Sequence, residues 1–218
     1  MTSVTDTVDY FKDDFPKGLF PLDTNRIVIE HSAQGLSKYV YEKILNDNED
    51  AHHFLPQARC HAAKHGLHLR RTLKLDPVSE FYIYDLINRN RTSFRRDFTK
   101  NRYSYGYRFE NGKPIPLSQA FRKFKKAVAE ANVLFKYGLK LDIATYFNSM
   151  YHHDIVKWFD NGARNQTDIE GLGQFSREIN SGRTIDCLPQ GIHPCKVIGA
   201  EFLKFLDNSG MLINQFIN

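Results

Sequence analysis

Apolar residues recur at helical spacing in SAQGLSKYVYEKILND (32–47), where Leu36, Tyr39, Val40, Ile44 and Leu45 share one face. This predicts an amphipathic helix behind an irregular or short-helical lead over residues 1–30. The pattern changes at RTLKL (71–75), whose alternation predicts a strand ending at Asp76-Pro77. SEFYIYDLINRN then predicts a helix with Ser79 as its N-cap. PLSQAFRKFKKAVAEAN predicts another, capped by Ser118, with Phe121, Phe124 and Val128 on its buried side and Arg122, Lys123, Lys125 and Lys126 on the other. Residues 139–143 (LKLDI) predict a short strand and residues 148–159 a helix. After the Gly/Asn-rich NGARNQTDIEGLG, FSREIN predicts a short helical piece, SGRTIDCLPQGIHPC a loop, and KVIGAEFLKFLDN a last helix.

Length and composition narrow this picture. At 218 residues the chain can build one sizeable core or two small lobes, and 41% hydrophobic with 25% charged residues is ordinary for a globular protein. The N-terminal MTSVTDTVDYFKDDF has acids and no apolar leader core, and no stretch approaches a membrane span, which points to the cytoplasm. Cys60, Cys187 and Cys195 are odd in number and form no CxxC, so they read as packing residues in a reducing compartment. His61, His65 and His68 have helical spacing, but no carboxylate or CxxC completes a zinc site, and a solvated or phosphate-facing helix is the better reading.

Charge is distributed unevenly. Between Arg89 and Lys126 twelve Lys or Arg stand against two acids, so this tract carries +10 and the remainder −5. The same tract holds eight Phe or Tyr, including those of TSFRRDFTKNRYSYGYRF. Cations neutralise phosphates and aromatic faces take bases or sugars, so the tract points to RNA or DNA, with Arg95, Arg96, Arg102, Lys125 and Lys126 as contacts.

Asp142 closes the apolar run of 139–143, where a carboxylate is costly to desolvate unless it is partnered. It reads either as an N-cap for the next helix or as a ligand for a hard cation such as Mg²⁺. Downstream, LPQGIHPC (188–195) makes a Pro-Gln-Gly turn in which the glycine lets a ligand approach the backbone.

These two segments carry a resemblance. DIATYFNSM (142–150) resembles the first palm motif of reverse transcriptases, and LPQG (188–191) resembles their next motif, in the same order. RTLKL is similar to the family's fingers strand, and the flavour is closest to bacterial abortive-infection and phage-defence members. The resemblance covers about residues 60–210. It implies an α+β right-hand polymerase fingers and partial palm, helix-rich with a small antiparallel sheet. The boundaries would be 1–55 for the N-terminal lead and helix, 56–138 for a fingers-like basic region and 139–218 for the partial palm.

The implied activity is RNA-directed DNA synthesis by Mg²⁺-assisted nucleotidyl transfer in phage defence. Carried onto this sequence, Asp142 would bind the metal with the Ile143 carbonyl, Phe147 would be the steric gate that selects a dNTP, and Gln190 and Gly191 would line the nucleotide pocket. Arg71, with Arg70 beside it, would hold the triphosphate. His152 and His153 read as packing or backbone contacts. Cys195 stands where relatives often have Ser. The family's paired Asp-Asp does not follow the turn; Asp13-Asp14 is the one such pair and precedes every motif. The expectation is therefore a chain with little polymerase activity by itself, completed by a second chain or a missing C-terminal part. The alternatives are a non-catalytic nucleic-acid-binding module with the polymerase fold, and a structural interaction protein.

Overall fold

In the computed structural model, PVSEFYIYDLINRN forms the helix around which the rest is arranged. The structure describes residues 3–17, 22–46, 52–63, 69–94, 109–140, 142–143, 146–162 and 165–208, with the side chains of 17, 62, 70, 71 and 203–208 left aside. Helix α1 spans Val4–Asp14 and α2 spans Asp23–Tyr39, continuing through a π turn at Val40–Ile44. Strands β1 (Ala58–Ala63) and β2 (Leu69–Lys74) precede α3 (Pro77–Asn90). Strands β3 (Phe109–Glu110) and β4 (Lys113–Pro114) lead to α4 (Leu117–Leu134). A single turn α5 (Tyr146–Ser149), α6 (His152–Asp160), α7 (Gln166–Glu178) and α8 (His193–Asn208) complete a helix-rich α+β chain.

Phe81, Tyr82, Ile83, Tyr84, Leu86 and Ile87 occupy every face of α3, and all are buried. A helix apolar all round has no face to give to water. It is enclosed by α1, α2 and α8, while α6 joins α7 and α8 through Ile155, Phe159, Leu172 and Phe175. Its cap is Asp76, whose carboxylate accepts from the N–H groups of Val78 (2.9 Å) and Ser79 (3.2 Å). Ser79, expected as the cap, is inside the helix and buried. Pro77 explains the shift, because it suits the first helical turn and holds Asp76 extended, at ψ 166°.

Other expectations are corrected in the same way. The N-terminal lead holds a full helix, α1, started by a Ser3–Asp6 capping box, and the first turns of α2. Residues 58–63 form a strand rather than a helix, paired antiparallel with 69–74 so that His61 faces Arg71; His65 and His68 lie outside the described residues. Helix α7 starts at Gln166, in the sequence read as a connector, with Asn165 as cap. Its Gly171 is required, since a Cβ there would lie 2.5 Å from the Tyr82 hydroxyl oxygen. The helix expected over 148–159 is broken into α5 and α6 around Met150 and Tyr151. Ser118 is not the cap of α4: Pro116 occupies that position without a side-chain cap bond.

The largest departure lies at α4 and the residues after it. Phe121, Phe124 and Val128, expected to be buried, are 52%, 45% and 41% exposed, and Ala120 is the buried residue of the helix. The described part of 139–143 forms no strand, with Leu139 and Ile143 exposed. A strand is stable only within a ladder, and no described strand lies beside this one. No described helix is long and apolar enough to cross a membrane.

Candidate functional site

The turn at 188–191 is built between two buried elements. Leu188 and Pro189 are buried, and Gly191 has φ +108°, a conformation open to glycine and costly for other residues. Gln190 is held at both ends. Its Nε2 donates to Asn148 Oδ1 at 2.9 Å, and its carbonyl accepts from the Thr72 hydroxyl at 3.3 Å. Asn148 Nδ2 donates in turn to Asp186 Oδ1 at 2.7 Å, which secures Asp186 in the left-handed region at φ +67°. Gln57 Nε2 donates to the Asp186 carbonyl at 3.1 Å. Strand β2, turn α5 and the Pro-Gln-Gly turn are thereby joined by side chains about 40 to 120 residues apart in sequence.

The aromatic pair ahead of Asn148 fixes the next layer. The Tyr146 hydroxyl donates to the Gly199 carbonyl on α8 at 2.6 Å, and the Phe147 ring lies edge-on to Tyr146 with centroids 5.4 Å apart. A Cβ built on Gly199 would stand 2.8 Å from Phe147 Cε1. Phe147 is therefore held against α8, half-buried, next in sequence to the Asn148 that bonds Gln190.

Helix α8 begins two residues after that turn, and its start is clamped from the N-terminus. Asp14 Oδ2 accepts the His193 backbone N–H at 2.7 Å and the Tyr84 hydroxyl at 2.6 Å. The Tyr10 hydroxyl lies 2.6 Å from His193 Nδ1. Burial, reinforced by the Asp14 charge, pushes both tyrosines well above their ordinary pKa, so they stay protonated and serve as hydrogen-bonding groups. The Asp13-Asp14 pair, remote from the motifs in sequence, thus returns in space through Asp14.

The remaining sequence-derived residues are placed as follows. Gln190 is tied through Asn148 to the turn that bears Phe147, and Phe147 itself lies against Gly199; Arg71 lies on β2 next to Thr72, opposite His61. Asp142 and Ile143 are exposed. Asp142 is four residues before Tyr146, too early to cap α5, so the capping alternative falls. Among the described residues no group of three or more His, Cys, Asp or Glu gathers to hold a metal. One carboxylate and one carbonyl do not complete a Mg²⁺ site. Arg95, Arg96 and Arg102 lie outside the described residues. Lys125 and Lys126 are exposed on α4, Lys125 over the Phe121 ring at 4.8 Å and Lys126 3.8 Å from Glu130.

Two cations counted in the basic tract are committed within the fold. Arg89 bonds Asp85 at 2.9 Å and Asp168 at 2.7 Å, and Arg91 donates to the Asn88 carbonyl at 2.8 Å. Cys187 and Cys195 are buried packing residues; burial pushes the Cys187 thiol up to about 12 and raises Cys195 well above its ordinary value. His152 is buried against His153 at a ring separation of 3.8 Å, and burial lowers its pKa, with His153 and Arg177 adding to the effect.

Sequence reasoning missed Thr72, Asn148, Asp186, Gly199 and the Asp14–Tyr84 clamp. Their spacing carries no local signal. Only the adjacency of Asn148 to the aromatic pair marks it as a candidate. The chain matches no protein-family model and no curated protein.

Proposed function

We propose that this chain is the nucleotide-binding side of a reverse-transcriptase-like protein, a fingers unit with part of a palm, that engages a dNTP and nucleic acid. The observation that carries this reading is the hydrogen-bonded unit that joins Asn148, the neighbour of Phe147, to Gln190 and Gln190 to Thr72 on strand β2, next to Arg71. The turn supplies close backbone approach at Gly191 and the Phe147 ring supplies a wall. The cationic strand residue supplies the complement to a triphosphate. RNA-directed DNA synthesis in phage defence is the activity assigned to the assembled protein, and Mg²⁺ its cofactor, with Asp142 and Ile143 contributing part of the ligand set.

The reading is tested by dNTP binding and primer extension. The chain should bind dNTP in the presence of Mg²⁺, with affinity reduced about tenfold by Gln190→Ala or Arg71→Ala, a loss of ~1.4 kcal/mol in keeping with one charge-assisted contact. Primer extension by the chain supplemented with its completing part should be abolished by Asp142→Ala. Extension that survives this substitution would refute the polymerase reading.

The exposure of Lys125 and Lys126 favours a second reading, a nucleic-acid-binding module without turnover. It is told apart by RNA or DNA affinity that falls steeply with salt, ignores Asp142→Ala and drops on removal of charge at Lys125, Lys126, Arg95, Arg96 and Arg102.

A further inference from the structure

Helices α6 and α7 enclose a cleft of about 430 Å³, the size of a small-molecule site, that shares no residue with the Gln190 unit. Residues 161–165 join the two helices, and a Cβ built on Gly173 would lie 3.8 and 3.9 Å from the two Val156 methyls. That contact sets an antiparallel register in which His152 stands across from Arg177, and Asp160 across from Ile169 and Glu170. The lining is therefore bipolar. His152, His153 and Arg177 gather where α6 begins, with Lys157 one turn further along, while Asp160 and Glu170 stand at the other end. Val156, Ile169 and Gly173, all partly buried, make an apolar floor between the two.

The cationic end has no counter-charge. His152 is 5% exposed, its Nδ1 has no hydrogen-bond partner, and the His153 ring centroid lies 3.8 Å from its own. Burial and then the His153 ring disfavour a proton on His152, the Thr184 carbonyl favours one, and Arg177 opposes it again. Among the described residues no carboxylate lies within ion-pairing distance of His152, His153, Lys157 or Arg177. At the acidic end Glu170 Oε1 accepts the Gln166 amide at 2.9 Å, and Asp160 is exposed.

The two ends select the ligand together. Several cationic donors converging on one point suit a phosphate, which offers three acceptor oxygens. Asp160 lies eight residues along α6 from His152, about 12 Å at 1.5 Å per residue, and its carboxylate asks for N–H donors there. A free amino acid is too short to reach both ends, and an inorganic anion leaves the acids unused. Guanine offers two donors on one edge, N1–H and N2–H, and a flat face for the apolar floor. We propose that the α6–α7 cleft binds a guanine nucleoside monophosphate, with its phosphate at His152, His153 and Arg177 and its base edge at Asp160 and Glu170. This site is independent of the dNTP reading.

Calorimetric titration of the whole chain with GMP tests it. GMP should bind, with AMP, guanosine and inorganic phosphate each about tenfold or more weaker, the worth of one charge-assisted hydrogen bond. Arg177→Ala should weaken GMP and inorganic phosphate alike by about tenfold. Asp160→Asn/Glu170→Gln should erase the preference for GMP over AMP and leave inorganic phosphate unchanged. All three positions are exposed, and unchanged thermal unfolding verifies the fold of the variants. Saturating dCTP, which probes the Gln190 side, should leave GMP binding intact. Absent GMP binding, or GMP binding indifferent to Arg177→Ala, overturns the proposal. So does inorganic phosphate binding as tightly as GMP, a preference for GMP that survives loss of both acids, or displacement of GMP by dCTP.

Discussion

Helices α3 and α4 carry similar numbers of aromatic and aliphatic side chains to opposite ends. Ten of the fourteen residues of α3 are buried, against one of the eighteen of α4. The apolar residues of α3 go round its axis, and three helices close over it, so even its polar groups are committed inward: Asp85 accepts from Thr7 at 2.8 Å and from Tyr41 at 2.6 Å. In α4, Leu117, Phe121, Phe124 and Val128 keep to one stripe, and lysine and arginine occupy much of the rest of the helix. The contrast teaches that amphipathic periodicity specifies a face for contact without specifying whether the contact lies within the chain or outside it.

The largest effect should come from breaking the polar lock on the buried side. Arg89→Met leaves Asp85 and Asp168, 8% and 3% exposed at their side chains, without their shared cation. An uncompensated buried charge costs about 3–5 kcal/mol. Urea unfolding should record that loss; a change below ~1 kcal/mol would mean that apolar packing alone holds α3 in place.

Glycine substitutions sharpen the comparison at the site itself. Gly199→Ala forces the Phe147 ring away from α8, for about 1–3 kcal/mol of overpacking, and should weaken dNTP binding along with stability. Gly35→Ala in α2 meets nothing within 4 Å and should instead stabilise by up to ~1 kcal/mol through helix propensity. Thermal melts of the two variants should move in opposite directions.

A pH series reads a smaller effect. His152 has a folded pKa below its ordinary 6.5, first through burial and then through His153 and Arg177. Above pH 6.5 both folded and unfolded forms are neutral at this residue, and its full contribution is present. As the pH falls below 6.5 the unfolded chain takes up the proton first, so stability is lost until the folded pKa is passed. His152→Gln should flatten this part of the stability profile; an unchanged slope would assign it to other groups.

Legibility from sequence followed the same division. The strand at 71–75, the helix after it and the last helix were readable because local pattern and tertiary burial agree there. The cap at Asp76 was misread because Ser79 is an equally good capping residue by type, and only Pro77 decides between them. At the site, Gln190, Gly191 and Phe147 were nameable from motif wording, while the bond from Gln190 to Asn148, beside Phe147, is seen only in the structure. Thr72, Asp186 and Asp14 were invisible because each is joined to the site by one or two polar bonds from a distant segment. The strand expected at 139–143 failed for the complementary reason: alternation reports a capacity to pair, and pairing needs a neighbour that no described strand provides.

The smallest effect is the most discriminating. If the α4 stripe contributes little to the fold, Phe121→Ser/Phe124→Ser removes two half-exposed rings whose centroids lie 6.3 Å apart. Unfolding free energy should then change by no more than ~0.5 kcal/mol, the range of surface substitutions. The matched substitution in α3, Phe81→Ala at a fully buried position, should cost about 3–5 kcal/mol. Equal losses from the two would show that α4 folds against the body of the chain; a wide gap would show that the α4 stripe adds little to the stability that α3 supplies.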